Sequence, residues 1–179
     1  MLTADSTVLI VTDVQGRLAQ LMHEKEAFFQ ALTTTIRAMR VLKVPIVWLE
    51  QVPEKMGATT PEVARLLEPQ KPIPKRSFSA WGDQKVRAEL QRLDRQNVLL
   101  TGIETHICIL QTARDLVAEG FAVQVMADAV ASRSPLNKEI GLERIRNAGG
   151  VLTTLETATF EILREAGGPG FRDIIGLIK

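Results

Sequence analysis

The chain has one cysteine, two histidines, two tryptophans and no tyrosine in 179 residues. A single cysteine cannot form an internal disulfide, so a reducing, cytoplasmic setting is expected. His23 and His106 lie far apart, no cysteine pair exists, and neither HxxxH nor CxxC spacing occurs. A zinc site therefore has no signature, and neither metal nor cofactor is expected. An excess of one charge is also missing: 22 Lys and Arg against 21 Asp and Glu leave a net charge of +1. Without a basic stripe or acidic tail, nucleic acid and anionic membranes are not expected partners. The longest apolar runs, such as Thr7–Val11 and Asn97–Leu100, are far too short to span a bilayer. The opening MLTADSTVLI has neither the cationic start nor the apolar stretch of a signal peptide. Neither GxGxxG nor GxxxxGK[ST] is present, so a phosphate-cradling loop has no support.

What is present is a hydrophobic content of 45%, enough for a sizeable core in one domain over residues 1–179. Short apolar runs alternate with helical patterns. STVLIVTD (Ser6–Asp13) reads as a strand buried on both faces and ending in a carboxylate. Phe28, Phe29, Leu32, Ile36, Met39 and Leu42 recur at three-to-four spacing and predict a helix over Lys25–Leu42. Val44–Glu50 reads as a second strand, with Pro45 at its start. Gln51–Lys75 breaks the alternation with five prolines and reads as a long loop, holding one short helix at Pro61–Leu67. Further helices are expected at Asp83–Leu93, Thr105–Glu119, Pro135–Ala148, Ala158–Glu165 and Phe171–Ile178. Strands are expected at Asn97–Thr101, Ala122–Ala127 and Val151–Thr154.

Strand–helix alternation along the whole chain implies an α/β fold with a mostly parallel sheet and helices on both faces. Right-handed crossovers put the loops that follow the strands on one edge, where ligands bind in open sheets. Asp13, Glu50, Gly102–Cys108 and Asp128 should all face that crevice. A phospho-acceptor domain would need a cluster of acids for Mg²⁺ on the first strand, and Asp13 stands alone there.

The lone Cys108 falls in TGIETHICILQTARDL, where an apolar strand turns into a helix. A helix starting near Thr105 would put the thiol in its first turn, where free N–H groups stabilise a thiolate and can receive an oxyanion. His106 is poorly placed as its base, because residues two apart on a helix point different ways. Asp13, on a strand near the sheet centre, is the better base. As an inert alternative, Cys108 packs as a small hydrophobe.

Three segments, in order, resemble the isochorismatase-like cysteine hydrolases, the family that includes nicotinamidases and related amidases. They are VLIVTDVQ; KRSFSAW (Lys75–Trp81); and GIETHICILQTARDL, with its Gly-x-x-Thr-x-x-Cys spacing. ADAVASRS (Ala127–Ser134) also resembles a family segment, and the likeness runs from about Thr7 to Val151. It implies a three-layer α-β-α sandwich around a mostly parallel sheet of about six strands. It implies Cys108 as nucleophile, Asp13 as general base and acid, and Lys75 as the supporting cation. It also implies a cis peptide between Ile103 and Glu104, with the backbone N–H groups of Glu104 and Cys108 forming an oxyanion hole. Gln15, Phe78 and Trp81 are candidate substrate contacts, and His106 and Asp128 are expected to be structural.

Departures from the family narrow the chemistry. Nicotinamidases carry a metal site of Asp-x-His-x-His type after the second strand; here LEQVPEKMG has no histidine. Siderophore-pathway isochorismatases often lack the cysteine that this chain has. The expected activity is therefore hydrolysis of an amide, ureido or related C–N bond of a small molecule through a Cys108 thioester. Two alternatives stay open: a vinyl-ether hydrolase using Asp13 alone, and a non-catalytic member whose pocket is blocked, for instance by Trp81. Family members commonly form homo-oligomers, and the same is expected here.

Overall fold

A computed structural model describes residues 1–179. Six strands form one all-parallel sheet in the order β3-β2-β1-β4-β5-β6. They are β1 (Thr7–Thr12), β2 (Ile46–Gln51), β3 (Ile73–Lys75), β4 (Asn97–Ile103), β5 (Ala122–Ala131) and β6 (Val151–Thr153). Every residue of β1 and β4 is buried, which is why both read as unbroken apolar runs.

Nine α-helices accompany the sheet: α1 (Gly16–Ala19), α2 (Lys25–Val41), α3 (Pro53–Met56), α4 (Pro61–Leu67), α5 (Gln84–Leu93), α6 (Leu110–Ala118), α7 (Pro135–Asn147), α8 (Leu155–Leu163) and α9 (Phe171–Ile178). Strand β1 serves both faces by alternation. Leu9 and Val11 pack into a core with residues of α2, α4, α8 and α9, while Val8 and Ile10 pack into a second core with α5, α6 and α7. The molecule is thus the expected three-layer α-β-α sandwich.

The chain builds β1, β2 and β3 outward in one direction, then returns across the sheet to place β4 on the free side of β1. The connections leave β1 and β4 in opposite directions and open a crevice at their carboxyl ends. At that point Gly102 has φ +108, and a side chain there would collide with the Thr12 backbone. A glycine lets β4 close on β1 beside the candidate site.

Several local expectations need correction. The stretch Gln51–Lys75 holds the expected helix α4 at Pro61–Leu67, but also α3 and the edge strand β3 in place of loop. The strand was hidden by Pro72 and Pro74, but Pro74 sits at a sheet edge, where a missing N–H is tolerated. Strand β5 runs on to Ala131, and its pairing with β4 jumps from Leu100–Val125 to Gly102–Val130. Helix α8 starts at Leu155, ahead of the expected Ala158. Thr154 caps the Thr157 N–H and the Asp128 carboxylate takes that of Leu155. Asp128 is thereby a structural cap. The segment around Cys108 is not the first turn of an α-helix but a π-helical turn, Thr105–Ile109, leading into α6.

Candidate active site

Asp13 follows β1 with φ 55, a left-handed conformation that Asp tolerates better than most residues. Lys75 ends β3, two strands away, and its side chain is fully buried. Its ammonium nitrogen Nζ lies 2.7 Å from Asp13 Oδ2 and 2.6 Å from Gln51 Oε1. It also donates to the carbonyls of Ser77 at 3.2 Å and Phe78 at 3.3 Å. Four acceptors surround three N–H donors, so the cation is held without water. Burial pulls the Asp13 pKa above its ordinary value, with Lys75 opposing the rise.

Asp13 Oδ1 is enclosed and has no oxygen or nitrogen partner. Cys108 borders the same cavity, 7% exposed. Burial, with the Asp13 charge adding to it, pushes its thiol up to about 12. The stabilised resting thiolate expected from a helix N-terminus is therefore overturned. At neutral pH the thiol keeps its proton, and Asp13 beside it has raised proton affinity.

The Ile103–Glu104 peptide bond is cis. The Glu104 carbonyl accepts from the N–H of Ile107 at 3.0 Å and of Ile109 at 3.3 Å, and the Glu104 backbone hydrogen-bonds to the thiol. Behind the turn, Gly141 of α7 packs so closely that an added Cβ would lie 3.0 Å from His106 N. His106 itself faces Ser132 Oγ at 3.0 Å through Nδ1. It does not border the cavity.

The cavity holds about 130 Å³ and is bordered by Asp13, Gln15, Leu18, Gln51, Met56, Phe78, Ile103, Glu104, Ile107 and Cys108. That is close to the ~150 Å³ that accommodates benzene in an engineered protein cavity. Phe78 borders it and is 55% exposed, at the mouth. Trp81 does not border it: the indole, half-buried, packs edge-on against Phe121, 5.5 Å between ring centres, against the apolar cluster of α5 and α6. Trp81 as a substrate contact, or as a plug, is thus corrected.

Gln15 borders the cavity, but its amide is engaged. Nε2 donates to Gln51 O at 3.1 Å and Gly57 O at 2.6 Å, and Oε1 accepts from Gln51 N at 2.6 Å. It ties α1 to the segment after β2. Glu50, expected to face the crevice, is buried and accepts from Thr59 N at 2.7 Å and Thr59 Oγ1 at 2.8 Å. Trp48 Nε1 completes that brace at 2.8 Å from Thr59 Oγ1. The walls Leu18, Met56 and Ile107, the Gln51–Lys75 bond and the Glu104–Arg133 pair were not anticipated. No motif marked them, and only the packing of α1 and α3 over the crevice brings the first two in. No group of three or more His, Cys, Asp or Glu side chains is placed to hold a metal ion.

This architecture, with chemistry-bearing side chains gathered where β1 and β4 part, is that of the isochorismatase-like α/β fold. Comparison with known proteins makes the assignment specific. The isochorismatase domain model matches residues 7–157, and the chain belongs to that family of hydrolases. It is 37% identical over 178 residues to the secreted isochorismatase effector Isc1 of Phytophthora sojae, covering 97% of this chain and 85% of that protein. The solved structure of the MAR1 ribonuclease of Caenorhabditis elegans superposes with a TM-score of 0.92 at 31% identity, over 99% of this chain and 91% of that one. The YcaC gene product of Escherichia coli, described as an octameric hydrolase of unknown specificity, shares the fold. Its TM-score is 0.89 at 19% identity, over 99% and 86% of the two chains.

Proposed function

We propose that the protein is a cysteine-dependent hydrolase of an amide, ureido or related C–N bond in a small molecule. The observation that carries this reading is one small cavity bordered by Cys108 and Asp13, with the Lys75 ammonium 2.7 Å from Asp13. Asp13 takes the thiol proton as sulfur attacks the carbonyl carbon, and the backbone N–H groups of Glu104 and Cys108 receive the developing oxyanion. Asp13 then gives that proton to the leaving nitrogen. The C–N bond breaks, the amine departs, and a thioester remains. Water enters and loses a proton to Asp13, and the resulting hydroxide attacks the thioester. The acid leaves, and the proton returns to sulfur.

A buried carboxylate of raised proton affinity suits this task, because it must accept a proton from a thiol that binds its own tightly. Lys75, 2.7 Å away, opposes the rise in that carboxylate's proton affinity. Substrate that fills the cavity expels water and strengthens each of these interactions.

The test is Cys108→Ala assayed on a panel of small amides, ureas and carbamoyl compounds, with mass spectrometry of the wild type for an acyl adduct on Cys108. Turnover that vanishes in a folded variant, with an adduct in the wild type, supports the reading. Undiminished hydrolysis by the variant refutes covalent catalysis by Cys108; a vinyl-ether hydrolase using Asp13 alone would instead leave the whole panel uncleaved by either protein. Trp81 leaves the pocket unblocked, so the non-catalytic alternative lacks its expected plug.

Partners follow the same reading: a small molecule and further copies of the chain, with no role for nucleic acid. The ribonuclease named among the relatives does not redirect it, since the chain carries a net charge of +1 and no cation borders the cavity. For self-assembly, Leu136 and Ile140, one turn apart on α7, are 60% and 42% exposed, and light scattering would read the mass. No helix is long and apolar enough to cross a membrane. The single unpaired thiol fits the reducing cytoplasm.

A further inference from the structure

We infer that the site selects substrates by charge: it takes uncharged compounds with a small apolar body and an N–H donor, rejects carboxylate-bearing ones, and uses Glu104 to do so. The inference rests on Cys108 as nucleophile and follows from counting the donors and acceptors around the cavity.

The donors are engaged elsewhere. Lys75 directs its N–H groups to Asp13, Gln51, Ser77 and Phe78. Gln15 Nε2 donates to two carbonyls, and Gln51 Nε2 donates to Arg76 O at 2.7 Å. No Lys, Arg or His borders the cavity. Among the acceptors, Asp13 holds the Lys75 ammonium and hydrogen-bonds to the Cys108 thiol. Glu104 is 4% exposed, and its ion pair with Arg133 is one-sided: Arg133 Nε at 3.1 Å and Arg133 N at 3.2 Å both bind Oε1. Oε2 stays outside that pairing.

A carboxylate entering this space would lose its hydration against apolar walls and find no uncommitted cation, since Lys75 is held by Asp13 and Arg133 by Glu104. A primary amide or urea would instead enter without losing a charge's hydration, against an apolar wall of Leu18, Met56, Phe78 and Ile107, with Glu104 Oε2 as an acceptor for its N–H. Arg133, with 54% of its side chain exposed, balances Glu104 from the solvent side and holds it in place.

Iodoacetamide and iodoacetate test this directly, being nearly equal in size and differing by one charge. Each forms a thioether with Cys108 as iodide leaves and the thiol proton is released. Their rates on the intact protein, read by mass spectrometry, are divided by their rates on glutathione at the same pH. The wild type should prefer the neutral reagent by ~10-fold or more beyond glutathione, given the strength of like-charge repulsion in a poorly solvated site. Glu104→Gln should lower that preference by ~3-fold or more. A wild-type ratio equal to that of glutathione overturns the inference and needs no variant. An unchanged ratio in Glu104→Gln removes Glu104 from it. No reaction with either reagent overturns it too, since a thiol closed to molecules of this size admits no substrate. Hydrolysis that survives Cys108→Ala would sink the cysteine-dependent mechanism while leaving the alkylation preference standing.

Discussion

Lys75→Met isolates the physics of the site. Methionine keeps most of the aliphatic stem and removes the ammonium group. In the native protein that group has no exposed side-chain surface and sits 2.7 Å from Asp13 Oδ2. Its loss strands a buried carboxylate and leaves Gln51 Oε1 and the carbonyls of Ser77 and Phe78 without their donor. Breaking a buried ion pair from one side costs ~3–5 kcal/mol. That is a large share of the ~5–15 kcal/mol total stability of an ordinary protein. The urea midpoint should fall by roughly 1–3 M with the slope unchanged.

The cost should depend on pH. The folded Asp13 pKa is raised above its unfolded value, so the folded state holds more protons between the two values, and stability falls as pH rises through that interval. Without Lys75, which opposes the rise, the interval extends to higher pH. The gap between wild type and Lys75→Met should therefore be smallest near about pH 4 and widest near about pH 8. Urea unfolding at both pH values, followed by circular dichroism, reads it. A gap below ~1 kcal/mol, or one equal at both pH values, would refute the claim that Lys75 compensates a desolvated charge.

Other expectations concern turnover. On a hydrolysed substrate, kcat/KM should rise with pH through an Asp13 pKa that lies above the ordinary carboxylate range; a break at the ordinary value would remove Asp13 as the base. Iodoacetamide labelling of Cys108 should keep rising to about pH 10 without a plateau, as a thiol pushed up to about 12 requires. Gly141→Ala puts a methyl 3.0 Å from His106 N and should cost ~1–3 kcal/mol while lowering kcat more than it raises KM; wild-type kcat would mean the turn tolerates displacement. Trp81→Phe should shift KM by less than ~2-fold, whereas Phe78→Ala at the mouth should raise it; the reverse order would restore Trp81 to the pocket.

How much of this was legible beforehand differs from element to element. β1 and α2 were readable because their signal lies in their own residues, an apolar run and a three-to-four repeat. The edge strand β3 was not, since three residues with a central proline carry no pattern of their own and are ordered by pairing with β2. Thr154 moved the start of α8, a capping effect local enough to have been seen. Trp81 sits in a segment that resembles its family, yet resemblance does not say which way a ring turns. The indole faces Phe121, edge-on, where both rings cover the apolar cluster under α5 and α6.

The sequence by itself determined the alternation of strands and helices, the family, and the residues to suspect: Asp13, Lys75 and Cys108. These are properties of short windows, carried by side-chain identity and spacing. Tertiary structure alone decided that Lys75, 62 positions from Asp13, meets it at 2.7 Å. It also decided that Gln15 and Glu50 brace the walls, and that the thiol rests protonated. Solvation is the reason: the affinity of sulfur or oxygen for a proton follows the water that is removed from around it. Segments far apart in the chain remove that water only after they pack together.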